Sequence, residues 1–133
     1  MSTKIFVNLP VSDLTRSIKF FTELGLVVQQ EYTNDDAGCL VVNDAIYVLL
    51  VTEPFFKTIT GKNVADTGTA AETVLALQVD SRQRVDELTD KALANGGQPV
   101  DEHIEDVMYS RGFHDPDGHI WNVVYMESGG AAT

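Results

Sequence analysis

The feature that most constrains this 133-residue chain is a repeat at half its length. Val7-Asn8-Leu9-Pro10-Val11-Ser12-Asp13-Leu14 closes a strand pattern and opens a helix pattern, and Ala76-Leu77-Gln78-Val79-Asp80-Ser81 does the same 68 residues later, with Val11 and Val79 equivalent. Such a repeat means two similar supersecondary units rather than one unbroken topology. In the first unit, Ser12 or Asp13 caps a helix that stops at Gly25, and Leu14, Ile18, Phe21 and Leu24 form its apolar stripe. Strands are expected at about Val27–Tyr32, Cys39–Val42 and Ala45–Val51, the last two joined by the turn-prone Asn43-Asp44. In the second unit, Asp80 or Ser81 caps a helix carrying Val85, Leu88 and Ala92, stopped by Asn95-Gly96-Gly97. Strands should follow near Gln98–His103, Val107–Phe113 and His119–Met126. The order is βαβββ twice. Between the units, Glu53–Ile59 has Pro54 where a short helix would begin, and the segment from Thr60 to Thr69 reads as a linker or flexible loop.

The final run, Phe113-His114-Asp115-Pro116-Asp117-Gly118-His119-Ile120-Trp121-Asn122-Val123-Val124-Tyr125, is the most specific motif. Pro116 presets its φ and Gly118 supplies the positive φ that closes a hairpin. The strand after it carries Trp121, Val123 and Tyr125 on one face and Ile120, Asn122 and Val124 on the other. This turn and strand, at the end of a doubled βαβββ pattern, resemble the vicinal-oxygen-chelate superfamily of glyoxalases, bleomycin-resistance-type binding proteins and extradiol dioxygenases. The resemblance runs from Ile5 to Glu127. It implies an α+β fold in which two βαβββ modules form a curved, open barrel around a cavity. It also implies a single domain over 1–133: module one at about 4–52, a connecting segment at about 53–72, module two at about 73–127 and a flexible tail at 128–133.

Alternation sorts the strand faces. Val7, Leu9 and Val11 match Leu75, Leu77 and Val79, two apolar faces that should pack on helices. Phe6, Asn8 and Pro10 match Val74, Ala76 and Gln78, which should look into the cavity together with Ile46, Val48, Leu50, Ile120, Asn122 and Val124. Metal-dependent members of the family supply four ligands from that surface, usually two His and two Glu. The matching positions here are Phe6, Val48, Val74 and Asn122, none of them a good ligand, so the resemblance leads to an expectation of no metal and no other cofactor. A one-residue slip of alignment would substitute Asn8, Tyr47 or Ala76.

The expected ligand-binding cavity is therefore apolar with a few orienting polar groups: Phe6, Asn8, Val48, Val74, Ala76, Tyr109, Arg111, Asn122 and Val124. Asn8 and Asn122 should lie on neighbouring central strands, either reading a ligand or satisfying one another. Arg111, two residues after Tyr109, either clamps a ligand carboxylate or phosphate or pairs with a surface acid. His103 in the acidic stretch Asp101–Asp106, with His114 and His119 beside the turn, are alternative metal-friendly residues, each also explicable as an ordinary solvated side chain. No catalytic residue stands out.

Nine basic and twenty acidic residues give a net charge of −11, which disfavours nucleic acid and anionic membranes as partners. Cys39, the only cysteine, excludes an internal disulfide and reads as a buried thiol. No secretory signal or membrane span is apparent, so a cytoplasmic location is expected. Family resemblance further implies a homodimer. Three functions remain open: a small-molecule-binding protein of bleomycin-resistance type; a divalent-metal-dependent, lactoylglutathione-lyase (glyoxalase)-like enzyme with a rearranged site; or a pure dimerisation or interaction module, with a collapsed cavity filled by Phe6, Val48, Val74 and Met108.

Overall fold

The computed structural model describes residues 3–100 and 108–127. The acidic stretch with His103, and the expected flexible tail, lie outside the described residues. Two compact units, Met1–Asp66 and Thr67–Thr133, meet inside the segment expected to connect the modules.

The first unit contains β1 (Ile5–Val11), α1 (Leu14–Glu23), β2 (Val27–Val28), a 3-10 turn (Gln30–Tyr32), β3 (Ala37–Val41), β4 (Ile46–Thr52) and α2 (Glu53–Thr60). The second contains β5 (Val74–Gln78), α3 (Arg82–Ala94), β6 (Gln98–Pro99), β7 (Met108–His114) and β8 (Ile120–Met126). Their sheets have the same plan, β1-β4-β3-β2 and β5-β8-β7-β6. In each, the helix carries the chain from one edge strand to the other edge, and an antiparallel meander then returns. The last strand lies parallel beside the first. The fold class is α+β, two βαβββ modules, as the doubled pattern implies.

Local chemistry explains the helix limits. Asp13 accepts the Arg16 amide at 3.1 Å and Ser81 accepts the Arg84 amide at 3.0 Å, each satisfying an otherwise orphaned N–H. Gly25 and Gly96 then end α1 and α3 at φ values of +100° and +107°, which residues with a Cβ rarely adopt. The expected strand from Val27 to Tyr32 is shorter than the alternation suggested. After two residues the backbone tightens into the 3-10 turn, where Thr33 donates its hydroxyl to the Gln29 carbonyl at 2.8 Å and accepts the Cys39 amide at 3.1 Å.

Each helix covers one sheet face. In unit one, a Cβ on Gly38 would come within 2.7 Å of Ile18 Cδ1, so β3 passes directly beneath α1. The layer beneath the helix is apolar, with Leu9, Val11, Phe21, Leu40, Val48 and Leu50 all buried. In unit two, Phe113 and Trp121 pair across β7 and β8 with parallel rings 6.4 Å apart, and Val85, Leu88 and Ala92 of α3 are buried. Fully buried apolar side chains of this kind each contribute about 1.5–3 kcal/mol.

The hairpin turn of unit two is organised by one side chain. Asp115 is only 3% exposed, and its Oδ1 accepts the amides of Asp117 (2.9 Å) and His119 (3.0 Å). Its Oδ2 accepts the Trp121 indole N–H at 3.1 Å. Gly118 sits at φ +87° against Thr67, whose hydroxyl donates to the Asp117 carbonyl at 2.6 Å. The end of the expected linker is thus fastened to the turn.

Two stability predictions follow from these layers. Asp115→Ala leaves three donors without their acceptor and should cost on the order of 3 kcal/mol, measured by urea unfolding with the single tryptophan as fluorophore. Thr89 on α3 is fully buried, and its hydroxyl has no hydrogen-bond partner among the described residues. Thr89→Val keeps the shape and removes the orphaned hydroxyl, so the urea midpoint should rise by the equivalent of about 1 kcal/mol.

Candidate functional site

Strand register decides which side chains share the sheet face turned away from each helix. In unit two, Ala76, Asn122 and Gly112 are lateral partners across β5, β8 and β7. Val74 pairs with Ile120, and Gln78 with Val124, which in turn pairs with Ser110. This open face therefore carries Val74, Ala76, Gln78, Asn122 and Val124, as the alternation predicted. Val74 is 53% exposed and Ala76 and Gln78 are exposed as well.

Tyr109 and Arg111 do not belong to it. Arg111 pairs with Val123 and Tyr109 with Tyr125, so both lie on the helix face. There Arg111 Nη1 donates to Asp86 Oδ1 at 3.0 Å and to Asp90 Oδ1 at 2.9 Å, and the Tyr109 hydroxyl donates to Asp86 Oδ1 at 2.7 Å. Of the two roles considered for Arg111, ion pairing is the one found. The spacing of Asp86 and Asp90, four residues apart on α3, was the available signal; both carboxylates fall on one helix face. Arg82 lies over the Tyr109 ring, 5.2 Å from its centroid, and pairs with Glu127 at 3.1 Å.

In unit one, Phe6 pairs with Tyr47, Asn8 with Leu49 and Pro10 with Val51. Phe6 and Tyr47 are stacked, ring centroids 4.7 Å apart and planes 10° from parallel. Tyr32 meets Phe6 edge-on at 6.3 Å, and the Lys4 ammonium stands 5.7 Å from the Tyr47 centroid. Phe6 remains 40% exposed.

The expectation for Val48 and Leu50 is corrected by the same register. Val48 pairs with Val7 and Leu50 with Leu9, which places both on the helix face at 2% and 0% exposure. Ile46, paired with Ile5, shares their parity. The open face of β4 is formed by Tyr47, Leu49 and Val51. Both parities of Ile46–Val51 are apolar, so periodicity had nothing with which to tell the faces apart.

Asn8 and Asn122 do not lie on neighbouring central strands. Asn8 is on β1, an edge of its sheet, and its amide donates to the Phe6 carbonyl at 3.2 Å. Asn122 is on β8, in the interior of the other sheet. Its amide oxygen lies against Gly112, where a Cβ would approach to 2.7 Å, and its side chain makes no hydrogen bond among the described residues.

The remaining candidates have structural partners. His114 Nδ1 lies 3.3 Å from the Gly118 carbonyl, and the His119 amide is one of the donors to Asp115. Cys39 is fully buried, and burial pushes its thiol pKa up, away from activation. Among the described residues, no three His, Cys, Asp or Glu side chains converge. No described helix is long and apolar enough to cross a membrane. The role of Asp115 as turn organiser escaped sequence reasoning, although aspartate opening a Pro-Asp-Gly turn was the signal.

With this geometry established, the comparisons with known proteins decide the family. The model of the Glyoxalase/Bleomycin resistance protein/Dioxygenase superfamily matches residues 5–123. The chain belongs to that superfamily. Solved structures of similar fold include a hypothetical protein, SA1046, from S. aureus, 25% identical with a TM-score of 0.80 and 94% of each chain covered. A Glyoxalase/Bleomycin resistance protein/Dioxygenase family enzyme from Burkholderia phytofirmans is 14% identical with a TM-score of 0.76, covering 95% of this chain and 100% of that one. The fosfomycin resistance protein FosX from Listeria monocytogenes is 17% identical with a TM-score of 0.67, covering 96% and 93%. Among curated proteins none matches. For this superfamily member, the likeness to the last two structures establishes fold alone.

The helix-face cluster also sets a pH dependence. The Tyr109 hydroxyl holds the Asp86 carboxyl below its ordinary range; burial opposes it, and Arg111 adds smaller lowering contributions. A depressed carboxylate stabilises the fold above its unfolded pKa of about 3.9, and that contribution is lost as pH falls through the lower folded value. Asp115 acts in the opposite sense. Burial raises its pKa, so its contribution declines as pH rises through the folded value. Asp86→Asn should therefore cost about 0.5–1 kcal/mol at pH 7, given its partial exposure, and the difference from wild type should shrink below about pH 4 in parallel urea titrations.

Proposed function

We propose that this chain is a small-molecule-binding member of its superfamily, bleomycin-resistance-like in type, that works without the family's metal centre. One observation carries the reading: Phe6, at the position of a metal ligand in metal-dependent relatives, is a half-exposed ring stacked on Tyr47 and edged by Tyr32. The residues at the other matching positions point the same way. Val48 and Val74 have no lone pair, Asn122 offers one neutral carbonyl oxygen, and Tyr47, the substitute for Val48 on the open face, gives its hydroxyl to the Asp44 carbonyl. Such a set does not fit a divalent cation, which needs several nitrogen or oxygen donors on one point.

What the open faces offer instead is the ordinary chemistry of an organic-ligand site: apolar and aromatic surface with a few amides. An exposed stacked pair of rings favours a flat ligand, since aromatic stacking adds about 0.5–1.5 kcal/mol beyond area burial. The same reading places the protein in the cytoplasm as a homodimer, a pairing supported by superfamily membership.

The test has two arms. Protein purified without chelators, offered Zn, Ni, Mn and Fe in excess and desalted, should retain no stoichiometric metal by elemental analysis. Indole, titrated by NMR, should shift the signals of Phe6, Tyr32 and Tyr47, with affinity reduced about fivefold in Phe6→Ala, the equivalent of about 1 kcal/mol. Near-stoichiometric metal would overturn the proposal and favour the lactoylglutathione-lyase-like alternative. Absence of any indole response would also overturn it.

A further inference from the structure

We infer that Asn122 is an amide-reading residue, and that unit two takes a neutral ligand presenting a hydrogen-bond donor and acceptor side by side, as a lactam or another cis-amide does. The inference rests on the proposed small-molecule function and names the ligand chemistry of one of its faces.

Four observations carry it. Asn122 is half-buried on the open face of an interior strand, so its position is fixed by strands on both sides. Its lateral neighbours are the small residues Ala76 and Gly112, and the amide oxygen lies 2.7 Å from the point a Cβ on Gly112 would occupy. The amide makes no hydrogen bond among the described residues, unlike Asn8, Asn34, Asn43 and Asn95, each of which bonds a nearby backbone group. Around it stand Val74, Ile120 and the buried Val124, with Ser110 and His114 on the same face of β7, and against the apolar part of that surface a hydrogen bond is worth more than in open water.

A primary amide carries an acceptor oxygen and a donor N–H on one edge. Its best complement is another amide with carbonyl and N–H on the same side, which closes two hydrogen bonds at once. A carboxylate matches only the donor, and the net charge of −11 further disfavours an anion there. Gln78, exposed two residues beyond Ala76 on the same strand face, supplies a second amide for a larger ligand.

The test is an NMR titration of the full chain with 2-pyrrolidinone, N-methyl-2-pyrrolidinone and γ-butyrolactone, read at the Asn122 side-chain amide. The lactam should shift that amide and bind about tenfold more tightly than either analogue, each of which lacks the N–H donor, the value of one hydrogen bond. Asn122→Leu should abolish the preference. Gly112→Ala, which crowds the amide oxygen, should weaken it, and backbone spectra of both variants report whether the fold is intact. Equal binding of the three probes, or a lactam response that bypasses Asn122, would overturn the inference. If indole still shifts the Phe6–Tyr47 signals, the small-molecule reading survives that result. If indole also produces no response, both fail.

Discussion

The structure depends on the parallel pairing of the first and last strand of each unit. Once β1 lies beside β4, and β5 beside β8, the register is fixed along the ladders from Ile5 to Val11 and from Val74 to Gln78. A side chain in a sheet has only two directions, and a slip of one residue would exchange the faces completely. Burial under α1 and α3 removes that freedom. Gly38 lets α1 settle onto β3, and the Phe113–Trp121 pair gives α3 a broad apolar floor. Every assignment of a residue to the helix side or the open side follows from these two ladders.

That constraint divides polar from apolar work. On the helix side of unit two, Arg111, Tyr109, Asp86 and Asp90 form a shared network at the rim of the packed layer. Its charges are partly exposed, and its main effect is to hold β7 against α3 rather than to meet a ligand. Asp115 does comparable work inside the turn, exchanging the cost of burying a carboxylate for three donors that otherwise have no acceptor. The open faces are left with little charge. One has stacked aromatic rings beside a lysine; the other has, between small neighbours, an amide with no hydrogen bond among the described residues.

Much of this was legible in the chain. The repeat gave the βαβββ order, Asp13 and Ser81 marked the helix starts, and Gly118 marked the hairpin. In β5 and β8 the faces were also readable, because polar Gln78 and Asn122 alternate with Leu77, Trp121 and Val123. Where that contrast vanished, the reading failed. Ile46–Val51 is apolar at every position, and Val48 was assigned to the wrong side. For Arg111 the strand pattern leaves both a ligand-clamping and an ion-pairing role open, because the two carboxylates that decide it lie on α3, more than twenty residues earlier in the chain.

The sequence by itself determined the elements, their order and the family, because these rest on local signals: caps, turn residues and a repeat at half the chain length. Only the tertiary structure decided which charged groups neutralise one another and which amide has no hydrogen bond among the described residues. Those outcomes depend on contacts between strands and helices distant in sequence, and no periodicity within a single strand encodes them. Phe6 is apolar in any reading. That it stands half-exposed, stacked on Tyr47, is a consequence of the register between β1 and β4.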